Sequence, residues 1–90
     1  MDAIKVEKRA EADLARLGVR GWPVWTKEVS RFDWHYDERE QCLFLEGEVA
    51  VETPDGGSVR IGPGDFVTFP EGLSCVWNVL KPVRKHYRFG

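Results

Sequence analysis

The sequence predicts an all-β domain, an antiparallel barrel or sandwich with one short N-terminal helix, and three observations carry that reading. From Gly21 onward apolar residues recur at every second position, which is the period of a strand with one buried face. Turn signals cut this pattern into short runs. Pro54-Asp55-Gly56-Gly57 reads as a hairpin between two alternating segments, and Gly62-Pro63-Gly64-Asp65 and Pro70-Glu71-Gly72 read as further turns, because glycine admits the positive backbone angles that such turns need. Before Gly21 the period is helical instead, with Ala10, Leu14 and Leu17 on one face and Gly18 in the position that closes a helix.

Taken in order, the elements begin with a short strand over 4–6 and the helix over 10–17, which has no Ser, Thr, Asp or Asn just before it to fix its start. Trp22-Pro23 marks the change to extended chain, since proline removes a donor and restricts the residue before it. Strands are then expected over 24–29, 32–36, 41–46, 48–53, 58–61, 66–69, 73–80 and 83–89. Ninety residues suit one domain with one core. The expected division is an N-terminal strand and helix arm over 1–20 and a barrel over 21–90.

Composition excludes several functions. A hydrophobic content of 42% with 12% aromatics supports a folded core. The net charge of −2, from 13 basic and 15 acidic residues mixed along the chain, offers no footprint for nucleic acid or an anionic membrane. Only the tail is one-signed, with Lys81, Arg84, Lys85 and Arg88 and no acid; a solvent-facing cluster is the preferred reading over an anion site. No apolar run reaches membrane-spanning length. Cys42 and Cys75 lie in strand patterns and no charged-then-apolar leader is visible, so reduced thiols in a cytoplasmic protein are expected, with a Cys42–Cys75 disulfide as the alternative. There is no Ser-His-Asp signature, phosphate-binding glycine loop or CxxC pair.

Residues 64–79, GDFVTFPEGLSCVWNV, carry the sharpest signal. They follow the second motif of the cupins at Gly64, Pro70 and Gly72, then place Cys75 where that motif has a metal-binding histidine and Val79 where it has asparagine. The end of the first cupin motif is present as Glu40-QCLFLE-Gly47. Its histidine pair is not: a three-residue spacing gives Trp34 and Tyr36, and a four-residue spacing gives Asp33 and His35. Over the last two thirds of its length the chain resembles the small single-domain cupins grouped with the cupin domain of (S)-ureidoglycine aminohydrolase. The matching pieces are Trp34 to Tyr36, Leu45 to Val49, Gly64 to Gly72 and Arg84 to Tyr87. The resemblance implies a double-stranded β-helix, a jelly-roll barrel, and for the aminohydrolases themselves a divalent metal and ammonia release in a two-domain protein.

Strand parity then defines a candidate site. Leu73, Cys75, Trp77 and Val79 share one face, Glu40, Cys42 and Phe44 another, and Trp34 and Tyr36 match if the strand runs on through 37–39. The expected ligand-binding set is Trp34, Tyr36, Glu40, Cys75 and Trp77, with Cys42, Phe44 and Phe69 deeper. Glu40 and Cys75 are the candidate catalytic groups. A carboxylate among aromatics is expected to have its pKa raised by desolvation, as suits a general acid or base; a turn cap or an arginine partner is the bland alternative. Cys75 reads equally as a small buried hydrophobe. No metal is expected, and if one bound, Glu40, His35 and Cys75 would be its ligands. In the terminal run either Lys85 or His86 could face the barrel, with a surface histidine as the default. The first functional expectation is a metal-independent cupin that binds a small polar organic molecule. An aminohydrolase-like metal enzyme and an interaction module with a filled barrel are the alternatives, and a homodimer would protect exposed edge strands.

Overall fold

The computed structural model describes residues 3–90; Met1 and Asp2, at the start of the expected arm, lie outside the described residues. Seven strands and one helix follow in order: β1 Lys5–Glu7, α1 Glu11–Leu17, β2 Val24–Lys27, β3 Ser30–His35, β4 Glu40–Glu52, β5 Ser58–Ile61, β6 Phe66–Phe69 and β7 Ser74–Phe89, with a 3-10 turn at Val19–Gly21 after the helix. Every pairing is antiparallel. The helix ends where glycine allows it: Gly18 adopts φ 70°, and its N–H donates to the Ala15 and Leu14 carbonyls. Its start has no side-chain cap.

The architecture is organised by two long strands. β4 and β7 pair along almost their whole lengths, from Glu40 opposite Phe89 to Glu52 opposite Val76. β6 and β2 flank one half of this ribbon, with β1 outside β6, and β5 and β3 flank the other half. The two halves wrap around one core, the jelly-roll expected from the motifs. Tyr36, Phe44, Val51, Ile61, Phe69 and Trp77 are among its buried members.

Both long strands run unbroken where the sequence pattern predicts a break, at Gly47 and at Lys81-Pro82. The ladder slips in register between Phe44 and Val49, which is a bulge rather than a turn. Gly47 sits there at φ 95°, and a Cβ on it would lie 2.3 Å from the Pro82 carbonyl oxygen. Proline in a sheet interior is confined to places where its missing donor is not needed, and a bulge is such a place. Across the bulge β4 advances five residues while β7 advances six, so the inward parity changes along β4 and is kept along β7. Glu40, Cys42 and Phe44 are buried before it, and Val49 and Val51 after it.

A second, smaller cluster lies outside the barrel. Leu14 and Val19 of the arm pack with Leu43 and Phe66, and Leu17, Trp22 and Leu45 border them. The arm thus covers the outer face of β4 and β6. It also buries His86, whose Nδ1 lies 2.9 Å from the Trp22 carbonyl oxygen; this corrects the expectation of a surface histidine.

Candidate functional site

The site is built on the inward face of β7. Cys75, Trp77, Val79, Val83 and Lys85 are all buried and all share one parity. Because the strand continues through Pro82, Lys85 faces the barrel and His86 faces the arm. Lys81 and Arg88 are exposed as expected of the basic tail, but Lys85 is 4% exposed. A buried ammonium needs a partner, and Lys85 Nζ donates to Glu40 Oε2 at 3.0 Å. Glu40 is therefore not a solitary carboxylate. Its partner is a lysine, where the sequence offered an arginine or a turn.

Aromatic rings enclose the ammonium. Lys85 Nζ lies 4.7 Å from the Trp77 ring centre, 5.0 Å from Trp25, 5.6 Å from Phe44 and 5.7 Å from Phe69. Each ring presents its negative π-face to the cation, an attraction that grows once water is removed. Trp77 is the hub of the aromatic set. It stacks on Phe32 and Phe44 with centroids 6.0 and 6.2 Å away, and meets Trp25 edge-on at 5.7 Å. Tyr36 stacks on Phe69 at 4.8 Å.

A cavity of about 180 Å³ opens beside this cluster. Its polar groups are Glu40 and Lys85; Tyr36 and Trp77 are its most buried walls, Trp25, Phe32 and Tyr87 complete the sides, and Trp34 and Phe89, roughly half exposed, form the rim. Four of the expected site residues, Trp34, Tyr36, Glu40 and Trp77, therefore meet at one cavity. Residues 37–39 are a loop and not strand. Tyr36 nevertheless keeps its place, because its N–H donates to the Leu73 carbonyl and its carbonyl accepts from the Gly72 N–H.

Cys75 lies apart from the cavity lining. It pairs across the strands with Trp34 and borders a separate groove with Asp33, His35 and Ser74. Both cysteines are free thiols. Burial pushes the Cys42 thiol up to about 12, with the Lys85 charge opposing, and the Cys75 thiol up to about 11, with the nearby Trp77 indole opposing. Both are protonated at neutral pH. Burial, and next the Glu40 charge, likewise raise the Tyr36 phenol well above its ordinary range.

His35, Glu40 and Cys75 do not converge. His35 is exposed, with its Nδ1 2.7 Å from Ser74 Oγ. Among the described residues no group of three His, Cys, Asp or Glu side chains could hold a metal ion. A divalent transition metal needs several such donors converging, and the carboxylate in the barrel already holds an ammonium. The donor set does not fit the metal that the cupin resemblance implies. No helix among the described residues is long and apolar enough to cross a membrane.

Sequence and structure comparisons place these features among known proteins. The family model for the EutQ-like cupin domain matches residues 14–87. A DUF861 family protein from Thermotoga maritima, known from a crystal structure, is 53% identical; the match covers 98% of this chain and 100% of that one, with a TM-score of 0.96. A Salmonella typhimurium protein described as ethanolamine utilization protein Q is 26% identical over 71% of this chain and 51% of its own, with a TM-score of 0.64. The Clostridium difficile EutQ protein, 22% identical over 71% of this chain with a TM-score of 0.65, shares the fold. The match spans about half the length of each of these two EutQ proteins. No curated protein matches the chain.

Proposed function

The chain belongs to the EutQ-like cupin domain family, and from that premise we propose that it binds a small polar organic molecule in the aromatic barrel cavity without using a metal. The observation that carries this reading is the Glu40–Lys85 pair, buried at 3.0 Å on the wall of a cavity otherwise lined by aromatic side chains. Binding sites for small molecules combine this apolar area with a few fixed polar groups. A buried ion pair adds little net stability over an apolar replacement, so its presence beside an open cavity favours a role in orienting a ligand. The volume of about 180 Å³ suits a small guest, since an apolar cavity of about 150 Å³ holds benzene, with roughly six non-hydrogen atoms.

The aminohydrolase activity implied by the sequence resemblance depends on a divalent metal, and the donors around Glu40 do not fit one. A packed interaction module accounts less well for the cavity beside Trp77. The test is a screen of ureido, amino-acid and sugar-acid compounds by tryptophan fluorescence and thermal shift, since a ligand of the folded state raises its stability. A hit is expected to weaken on Glu40→Gln and on Trp77→Ala while the fold persists. If no compound shifts the melting curve, the interaction-module reading replaces this one.

A further inference from the structure

Lys85 is placed unlike the other lysines of the chain. Lys5, Lys8 and Lys81 are exposed and Lys27 is half-buried, whereas Lys85 is 4% exposed and lines the aromatic cavity. An amine in such a place is a nucleophile suited to a carbonyl carbon, because lysines desolvated in apolar sites form Schiff bases. As an ammonium the nitrogen has no lone pair to offer. Glu40 Oε2, 3.0 Å away, is positioned to take the proton, and that transfer turns two buried charges into two neutral groups. Burial keeps the Tyr36 phenol and the Cys42 thiol protonated, so neither competes for it.

The same walls fit the product. The Lys85 nitrogen attacks the carbonyl carbon of an aldehyde, and the carbonyl oxygen takes up a proton from that nitrogen. The resulting hydroxyl leaves as water with the proton returned by Glu40, and the nitrogen lone pair closes the C=N bond. Ammonium and aldehyde thus become iminium and water, with no change of oxidation state. The iminium keeps one positive charge where the ammonium stood, beside the Glu40 carboxylate and against the faces of Trp77 and Trp25, whose ring centres lie 4.7 and 5.0 Å from the nitrogen. Charge and size narrow the guest. Glu40 and Lys85 cancel, so a further charge on the aldehyde would lie unpaired against aromatic walls, and about 180 Å³ leaves room for a short or branched alkyl chain. We infer that Lys85 forms a reversible imine with a small uncharged aldehyde in the barrel cavity, with Glu40 carrying the proton; this rests on the pocket reading above and adds a reaction to it.

Isobutyraldehyde with sodium cyanoborohydride, which reduces an iminium to a stable secondary amine, tests this on the intact wild-type chain. After a short incubation, peptide mass mapping reads the added isobutyl group lysine by lysine. Lys85 is expected to be alkylated at least about tenfold faster than Lys5, Lys8 or Lys81, because the cavity holds the aldehyde against it. In urea the cavity is lost and the preference is expected to vanish. Alkylation of Lys85 no faster than that of the exposed lysines, or a preference that survives in urea, overturns the imine. Isobutanol has the same branched chain and no carbonyl, and its binding is followed by tryptophan fluorescence. Binding of isobutanol without preferential alkylation of Lys85 overturns the reaction while leaving the pocket standing. Failure of both, together with failure of the compound screen, removes the pocket itself.

Discussion

Replacing Lys85 with Met removes the cation and keeps most of the side-chain volume, so its cost reports what the buried pair does. At 3.0 Å and an effective dielectric constant of about 20, the gross attraction is about 5 kcal/mol. Cation–π contact with the enclosing rings adds about 2 kcal/mol when the ammonium is desolvated. Desolvation of both groups offsets most of this in the intact protein. In Lys85→Met, however, the carboxylate stays buried without a partner, and breaking a pair in this way costs about 3–5 kcal/mol. For a domain of this size that is on the order of 20 °C in melting temperature. Glu40→Gln leaves the ammonium among its rings with a neutral acceptor and is expected to cost less, about 2 kcal/mol. The double variant has no stranded charge and should recover much of the loss, giving a coupling of about 2–3 kcal/mol in a double-mutant cycle by urea denaturation. Additive single effects, with coupling below about 0.5 kcal/mol, would show that Glu40 and Lys85 do not act on one another.

Other consequences can be checked separately. Both thiols should react slowly with a disulfide reagent in the folded protein and rapidly once it is denatured, because burial holds Cys42 and Cys75 protonated at neutral pH; a reducible Cys42–Cys75 crosslink would contradict this. Since the folded Cys75 value lies near 11 against an ordinary 9.0, its contribution is full below pH 9 and is lost as pH climbs to 11. A Cys75→Ala variant should lack that part of the alkaline loss in denaturation curves. Gly47→Ala is expected to cost more than about 2 kcal/mol in urea denaturation, since it combines a positive φ with a clash against the Pro82 carbonyl; a near-neutral result would mean the bulge is not built as described. Elemental analysis of untagged protein should find transition metal far below one per chain, whereas near-stoichiometric metal lost on Glu40→Ala would revive the metal-enzyme alternative.

The turns were the most legible part of the sequence. Pro54-Asp55-Gly56-Gly57, Gly62 to Asp65 and Pro70 to Gly72 fix the ends of β5 and β6, and those two strands match their expected bounds of 58–61 and 66–69. Gly47 and Pro82 misled the reading because each signals a break on its own. Placed opposite one another in the ladder, they make a bulge instead, and pairing across 35 positions is not visible locally. With the strand cut at Pro82, the inward residue of the terminal run stays open between Lys85 and His86; carried unbroken from Trp77 through Val79 and Val83, the parity of β7 points Lys85 into the barrel. That Trp34, Tyr36, Glu40 and Trp77 line one cavity could be anticipated because they sit at or beside recognisable motif positions. The burial of His86 depends on where the arm folds, and residues 10–22 carry no signal that names β4 and β6 as the surface they cover.

A high-resolution crystal structure of untagged protein, collected with an anomalous scan for transition metals, distinguishes a buried Glu40–Lys85 pair from a metal site. Lys85 Nζ is expected within hydrogen-bonding distance of Glu40, with no anomalous peak in the barrel and open space beside Trp77. A metal peak coordinated by Glu40, or aromatic rings closed together with no space beside Trp77, would contradict this.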